Sequence, residues 1–249
     1  VMNGWLISPD RRNRRYQAAV VLFHHAGGAA SAYVGFRLLL PENVRLLLVQ
    51  LPGRESHLAD GFCCEGREAA QQILTAIEQA VGGDCPLVMY GHSMGAALAV
   101  QTAALARHRL NIRRLCLSSR RPPHLSPYEQ NLLLASGQAV LDAVLQYGAV
   151  PDAILAEPDM RQALIERLRN DYGIAQGLAC LQPSPLLGEI PLTVWGGDRD
   201  PGVSLFHLYQ WSGYSSGAFD CTLFPGDHFF LFLEPTKSHI ASRLMLDLL

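Results

Sequence analysis

Apolar runs of strand length alternate with amphipathic stretches of helix length over most of the chain. We expect strands at residues 18–24, 44–51, 86–90, 112–118, 190–195 and 219–224. We expect helices at residues 68–81, 94–107, 203–211 and 235–249. The first two strands are apolar almost throughout, which is typical of strands buried on both faces. The alternation predicts an α/β fold with one mostly parallel central sheet and helices on both faces.

The alternation is interrupted between about residues 126 and 182, where no strand pattern occurs. Short helical stretches there are broken at Gly137, Gly148, Pro151, Pro158 and Gly173. The segment is also rich in apolar residues: Leu132, Leu133, Leu134, Val140, Leu141, Val144, Leu145, Ile154 and Leu155. We therefore expect residues 1–249 to form a single domain, with a helical lid inserted at about 126–182. The apolar residues favour an apolar pocket, although any packed helical subdomain shows the same pattern.

Composition excludes several classes of function. Of 249 residues, 49% are apolar and 17% are charged, and the net charge is −2, which favours neither nucleic acid nor a membrane surface. No apolar run reaches the roughly 20 residues of a membrane-spanning helix, and the first residues do not resemble a secretory signal. The six cysteines have no metal-ligand spacing, so we expect free thiols in a reducing cytoplasm. We expect no metal and no cofactor.

A candidate nucleophile lies between an expected strand and an expected helix. Gly91, His92, Ser93, Met94 and Gly95 form a G-x-S-x-G pattern, and an alanine-rich helix follows directly. Such a turn strains the serine backbone, and glycines two positions before and after it remove side chains that would clash. The helix N-terminus then directs backbone N–H groups at the site. We therefore predict that Ser93 is a nucleophile.

His228 is the candidate base among nine histidines. A serine hydroxyl is a poor nucleophile until a base takes its proton. His228 lies in the loop between the last expected strand and the last expected helix, the position of the base when the catalytic residues follow the order serine, acid, histidine. The remaining histidines lie in other loops, within helices or at the end of an early strand, where solvation or packing explains them.

Two aspartates follow the strand at 190–195, and either could orient the base. Asp200 lies further out on the loop, just before Pro201, where a carboxylate can reach the imidazole. Asp198 is the alternative, and it could instead cap the turn through backbone hydrogen bonds. The acid holds the histidine in the right tautomer and stabilises its charged form. We predict that Asp200 has this role.

The reaction also needs two N–H donors for the negatively charged oxygen that forms on the substrate. Met94 follows the nucleophile and supplies the first donor. The loop after the first expected strand supplies the second, which we assign to Ala26, with Gly27 as the rival. These elements together predict a serine acyl hydrolase of the α/β-hydrolase fold.

Six motifs, which span nearly the whole chain, make it resemble the stand-alone type II thioesterases of non-ribosomal peptide and polyketide pathways. They are FHHAGGAAS at 23–31, QLPGRE at 50–55, GHSMG at 91–95, SRRPPH at 119–124, LRNDY at 168–172 and GDHFFL at 226–231. The resemblance implies a triad of Ser93, Asp200 and His228 and an oxyanion hole of Ala26 and Met94. It also implies hydrolysis of acyl or aminoacyl thioesters from the phosphopantetheine arm of carrier proteins, which removes aberrant or stalled groups.

The resemblance implies carrier-protein domains of a synthase and small acyl substrates as partners, and we expect a monomer. Arg120 and Arg121, and the arginines between 11 and 15, are candidate contacts for acidic carrier proteins, although a solvated basic face is the alternative for both groups. Four other functions remain open. They are a medium-chain fatty acyl thioesterase, a lipase or carboxylesterase, a carrier-binding protein without catalysis, and a terminal cyclase.

Overall fold

A seven-stranded sheet forms the centre of the molecule in a computed structural model that describes residues 4–10, 15–63, 65–126, 135–148, 150–176 and 184–248. The strands, numbered β1 to β7, are Leu6–Ile7, Ala18–Phe23, Val44–Val49, Leu87–His92, Ile112–Ser118, Leu192–Gly197 and Phe219–Phe224. Their spatial order is β1-β3-β2-β4-β5-β6-β7. Only β1 is antiparallel to its neighbour; each other pair is parallel. The predicted mostly parallel sheet is confirmed.

Helices cover both faces of this sheet. The α-helices of the described residues, numbered α1 to α7, are Gly66–Val81, Met94–Ala106, Gly137–Leu145, Asp152–Ala156, Pro158–Gln176, Leu205–Tyr209 and Thr236–Met245. 3₁₀ turns occupy Ala30–Leu39, Glu55–His57, Pro123–Leu125, Gln210–Tyr214 and Phe230–Phe232. The helix predicted at 203–211 begins two residues later and ends in a 3₁₀ turn. None of these helices is both long and apolar enough to cross a membrane.

Side-chain alternation along the buried strands creates two hydrophobic cores, one on each face of the sheet. In β2, Ala19, Val21 and Phe23 pack with α1 and α2 on one face. Val20 and Leu22 point the opposite way and pack with the 30–39 turn and α7. Because successive side chains of a strand point to opposite faces, a strand covered on both sides must be apolar at every position. This requirement explains the uninterrupted apolar runs in the sequence.

The described residues of the segment between β5 and β6 contain α3, α4, α5 and a 3₁₀ turn, joined by coil, and no strand. Helix α5 packs against α1 and α2, and its Ile174 and Ala175 join the core on that face. Val140 and Val144 of α3 pack instead with Leu168 of α5 in a separate small cluster. Residues 127–134, 149 and 177–183 of the expected insertion lie outside the described residues, and its role as a lid remains a prediction.

Packing of α1 on the sheet makes a first prediction. Ile73 is completely buried in the core between α1 and the sheet, so Ile73→Ala should lower the free energy of unfolding by about 2–5 kcal/mol through lost burial and a residual cavity. Gln72→Ala, on the exposed side of the same helix, should change it by less than about 0.5 kcal/mol. Urea unfolding of both variants measures the difference, and equal losses would contradict this packing.

Candidate active site

Ser93 occupies a strained turn between β4 and α2, at the centre of the sheet. Its φ of 55° and ψ of −118° lie outside the regions that residues with a side chain normally adopt. Its N–H donates to the carbonyl oxygen of Ser118 at 2.9 Å, and its own carbonyl accepts from the N–H of Ala96 at 3.0 Å. These bonds on both sides of the residue hold the strained conformation.

Two glycines allow this turn to form. A β-carbon on Gly91 would collide with the backbone of Gly95 and Ala96. A β-carbon on Gly95 would collide with the carbonyl oxygens of Phe23 and His24, at the end of β2. The glycine spacing thus reflects close backbone approach on both sides of Ser93, as the sequence pattern predicted.

The imidazole of His228 links Ser93 to Asp200. His228 Nε2 lies 3.1 Å from Ser93 Oγ, and His228 Nδ1 lies 2.8 Å from Asp200 Oδ2. In the neutral tautomer that suits both contacts, the serine hydroxyl donates to Nε2 and the Nδ1–H donates to the carboxylate. The three predicted side chains therefore form one hydrogen-bonded chain, although they come from three separate loops at the C-terminal edge of the sheet.

The carboxylate of Asp200 is buried but well supplied with donors. Burial raises the pKa of this carboxyl group, but the hydrogen bond and charge of His228 and hydrogen bonds from the Gly202 N–H and the Ser119 hydroxyl outweigh it. The resulting pKa lies below the ordinary value, so Asp200 stays ionised at neutral pH. An ionised, fixed carboxylate is what stabilises a positive charge on His228.

The alternative acid, Asp198, points elsewhere. Its Oδ1 accepts a hydrogen bond from the N–H of Gly226 at 2.9 Å, and its carboxylate lies 3.6 Å from Arg199. Asp198 therefore bridges the loop after β6 to the loop that carries His228. This contact is the backbone-capping role that the sequence left open for it.

The two N–H groups predicted to bind an oxyanion both belong to residues at the cavity that Ser93 faces. Ala26 and Met94 line this cavity together with Ser93 and His228. The N–H of Gly27, the rival donor, is instead donated to Asp171 Oδ2 at 2.8 Å. With Gly27 engaged, the geometry favours Ala26 as the second donor.

The cavity beside Ser93 has a volume of about 380 Å³ and one largely apolar wall. That wall comes from the segment between β5 and β6 and includes Val144, Val150, Ile154, Met160, Leu164 and Leu168. Of the apolar residues that suggested the pocket, Val144 and Ile154 line it, whereas Val140 and Leu141 are buried in packing. Leu132, Leu133 and Leu134 lie outside the described residues.

The arginines proposed as surface contacts occupy different places. Arg120 and Arg121 line the cavity, and Arg120 is only 8% exposed, so this pair does not form a solvated face. The Nε–H of Arg121 donates to the carbonyl oxygen of Gly202 at 2.6 Å, next to Asp200. Arg11, Arg12 and Arg14 lie outside the described residues, so their role stays a prediction.

The sequence assigned no role beside His228 to several residues that surround it in the structure. The ring of Tyr147 lies over the imidazole, with 4.4 Å between ring centres, and that of His92 lies 5.1 Å away. Ser119 Oγ lies 3.2 Å from the carbonyl oxygen of His228, and Ser119 has a positive φ of 47°. His92 flanks the serine in sequence, but its Nδ1 lies 2.8 Å from Ser118 Oγ. No spacing rule connects these residues, which meet only in the folded chain.

Buried histidines surround the site in their neutral form. Burial lowers the pKa of His24 to about 3 and that of His25 to about 4, with a further lowering of the latter from the nearby His228. The pKa of His92 also lies well below its ordinary value, chiefly because of burial and then because of the charges of His228 and His25. His25 lines the cavity whereas His24 is buried, as expected for neighbours on opposite faces. Within the described ranges, no three His, Cys, Asp or Glu side chains are grouped as metal ligands.

Comparisons with known proteins find matches that cover most of the chain. The model of the thioesterase domain family matches residues 18–244. Gramicidin S biosynthesis protein GrsT of Aneurinibacillus migulanus is 26% identical over 233 residues, which cover 93% of this chain and 89% of that protein. Thioesterase PikA5 of Streptomyces venezuelae is 30% identical over 214 residues, which cover 85% of this chain and 75% of that protein.

A solved structure shows that the similarity to known thioesterases includes the three-dimensional fold. It is the RedJ thioesterase from the prodiginine biosynthetic pathway in Streptomyces coelicolor, with a TM-score of 0.80 and 26% sequence identity. The match covers 92% of this chain and 89% of that chain. The predicted α/β-hydrolase fold and the resemblance found in the sequence motifs are confirmed by these matches.

Buried neutral histidines make stability sensitive to acid. In the unfolded chain, His24 takes up a proton as the pH falls below its ordinary pKa of 6.5. In the folded chain it does so only near pH 3. The unfolded chain therefore binds more protons between these values, and the free energy of unfolding falls as the pH drops below about 6.5. His24→Gln should remove up to about 1.4 kcal/mol per pH unit of this dependence. Urea unfolding at about pH 5 and about pH 7 measures the slope.

The exposed His108→Gln variant controls for removal of an imidazole in itself. An unchanged slope in His24→Gln would show that the buried His24 is not the source of the acid sensitivity.

Proposed function

Because the chain belongs to the thioesterase domain family, we propose that it hydrolyses acyl or aminoacyl thioesters on the phosphopantetheine arm of carrier proteins. Ser93 is the nucleophile, His228 the general base and Asp200 the acid that orients it. The N–H groups of Ala26 and Met94 form the oxyanion hole. The observation that carries the proposal is the hydrogen-bonded chain from Ser93 Oγ through His228 to Asp200, at a cavity large enough for an acyl group.

The first half of the reaction transfers the acyl group to the enzyme. As Ser93 Oγ attacks the thioester carbonyl, its proton passes to Nε2 of His228, and the carbonyl oxygen becomes an oxyanion between the two N–H donors. The C–S bond then breaks and the acyl group remains as an ester on Ser93. The leaving thiolate, whose thiol has a pKa of about 8.5, needs little help from an acid. It takes up the imidazolium proton as it leaves, which returns His228 to the neutral form needed for the second half.

The second half releases the acid. Water occupies the place of the departed thiol, and His228 takes a proton from it as its oxygen attacks the ester carbonyl. A second oxyanion forms between Ala26 and Met94, and the C–O bond to Ser93 breaks. The serine recovers its proton from His228, which leaves a free carboxylic acid and a carrier protein ready for reloading. Asp200 stabilises the imidazolium in both halves and does not itself take the proton.

The helical segment between β5 and β6 acts as a lid in this proposal. Its apolar side chains form one wall of the cavity, where they can bury an acyl chain and exclude water from the ester. Arg121, at the same cavity, is a candidate contact for the phosphate of the arm or for an acidic carrier surface. The partners are then carrier-protein domains of a synthase, and no further cofactor takes part.

The biological role we propose is removal of aberrant or stalled groups from a peptide or polyketide assembly line. GrsT is named for gramicidin S biosynthesis, and RedJ is described as a thioesterase of the prodiginine biosynthetic pathway, which supports this role. The enzyme acts as a monomer in the cytoplasm. In support of a reducing compartment, Cys63, Cys85, Cys116 and Cys221 form no disulfide within the described structure.

A second candidate is release of medium-chain fatty acids from a carrier protein. The apolar wall of the cavity, which favours alkyl over charged acyl groups, is the observation behind it. Both candidates use the same triad and the same thioester chemistry. They differ in breadth, since an editing enzyme accepts unrelated acyl groups whereas a releasing enzyme prefers one chain length.

Carrier-protein assays test the proposal directly. The protein should deacylate carrier proteins that bear acetyl, longer acyl or aminoacyl thioesters, and Ser93→Ala should reduce each rate by several orders of magnitude because no acyl-enzyme can form. Intact mass spectrometry over time follows the loss of each group. Cleavage confined to one alkyl chain length would favour the second candidate. Hydrolysis of oxygen esters without any thioester cleavage would contradict both.

The two aspartates of the 198–200 loop provide a matched pair of variants. Asp200→Asn removes the charge that stabilises the imidazolium and should lower kcat by about 10³–10⁴-fold, with little change in KM. Asp198→Asn keeps an oxygen that accepts the Gly226 N–H and should stay within about threefold of the parent. Steady-state kinetics on one acyl thioester measures both. A loss of similar size in the two variants would rule out Asp200 as the specific orienting acid.

A further inference from the structure

A buried ion pair joins two distant motifs beside the site. The guanidinium of Arg54 contacts the carboxylate of Asp171 through two hydrogen bonds, Nη2 to Oδ1 at 2.6 Å and Nη1 to Oδ2 at 3.0 Å. Both side chains are fully buried. Arg54 follows β3, whereas Asp171 belongs to α5 of the inserted segment. Taking two charges out of water is costly, so a pair of this kind is weak evidence for a purely stabilising role.

Each partner of the pair also holds the loop that carries Ala26. The N–H of Gly27 donates to Asp171 Oδ2 at 2.8 Å, and Arg54 Nη1 donates to the carbonyl oxygen of Gly28 at 2.9 Å. Gln50 holds the end of the same loop, because its Oε1 accepts a hydrogen bond from the N–H of Ala30 at 2.9 Å. Its Nε2 donates to the carbonyl oxygen of Arg54 at 3.1 Å, which links Gln50 to the ion pair. The loop is therefore fixed by side chains from outside it.

The contact to Gly27 sets the direction of the neighbouring peptide groups. Gly27 has a φ of +74°, a conformation that glycine adopts easily, and its N–H is turned towards Asp171. A freed glycine loop samples many conformations, most of which do not direct the Ala26 N–H at a bound carbonyl oxygen. An oxyanion-hole donor stabilises the transition state best when it already points at the site before the reaction begins. The Ala26 N–H therefore benefits from a loop that is held in one conformation.

We propose that Asp171, with Arg54 as its buried counterion, is a positioning residue that aims the Ala26 N–H into the oxyanion hole. The inference rests on the proposed function of Ala26. It also means that the hole is complete only when α5 is seated on the loop, so the inserted segment contributes to the chemistry as well as to the cavity wall. Asp171 does not touch the substrate and acts solely through the Gly27 peptide.

A matched pair of double variants tests the positioning role. Arg54→Gln combined with Asp171→Asn removes both charges but keeps an oxygen that can accept the Gly27 N–H. Arg54→Gln combined with Asp171→Leu removes the charges and the acceptor. Because loss of one oxyanion donor costs about 10²–10³-fold in kcat, the leucine variant should be about a hundredfold slower than the asparagine variant at similar KM. It should also bind an alkyl boronic acid, which forms a tetrahedral adduct on Ser93, more weakly by a similar factor.

Kinetics are measured at a temperature at which circular dichroism shows both variants folded. Should the leucine double variant not fold, Arg54→Gln combined with Asp171→Ala takes its place, since it too removes both charges and the acceptor for Gly27 without leaving one charge buried and unpaired. Equal kcat in the folded pair, or a loss confined to KM, would overturn the inference, because a purely structural role predicts one or the other.

A small activated ester such as p-nitrophenyl acetate separates this test from that of the proposed function. The ester needs Ser93 and the oxyanion hole but no carrier protein. If the parent enzyme cleaves the ester but no carrier thioester, the proposed substrate is wrong. The difference between the paired variants on the ester still decides the role of Asp171.

Discussion

The strained turn at Ser93 is the constraint on which the rest of the site depends. A serine at φ 55° costs on the order of 1–3 kcal/mol, and it persists only where the surrounding structure leaves no alternative. Here the turn joins a central strand to a helix that is buried at all but two positions, and Gly95 lies against the end of β2. The core on both faces of the sheet therefore stabilises the conformation that presents the hydroxyl. Every other candidate group then has to reach this fixed point.

Those groups reach it from the same edge of the sheet because parallel strands all end there. The loops after β6 and β7 bring Asp200 and His228, and the loop after β2 brings Ala26. A loop rich in glycine adopts no single conformation by itself. In this chain its conformation is fixed by charged side chains from outside the loop. The Arg54–Asp171 pair thus connects the sheet, the loop and α5 in one buried network, in which each hydrogen bond is strengthened by low polarity around it.

Local patterns in the sequence were enough to predict the sheet, the helices that cover it and the chain position of Ser93, Asp200 and His228. Periodicity and turn chemistry act over a few residues, so they predict such elements well. They do not reveal the pairing of β1 with β3, which involves only Leu6 and Ile7. Arg54 and Asp171 both lie in motifs of the resemblance, but they are 117 residues apart, and only the folded chain shows that they meet. The ring of Tyr147 over His228 follows from packing, for which no sequence rule exists.

The buried histidines near the site also serve the proposed chemistry. A base that must hold a proton in mid-reaction works poorly beside other groups that compete for that proton or repel its charge. Burial keeps His25 and His92 neutral, so neither adds a positive charge next to an imidazolium on His228. The rings of His92 and Tyr147 instead pack against the imidazole, and Asp200 is its charged partner. The same arrangement lowers the free energy of unfolding at acid pH, where protonation of these histidines favours the unfolded chain.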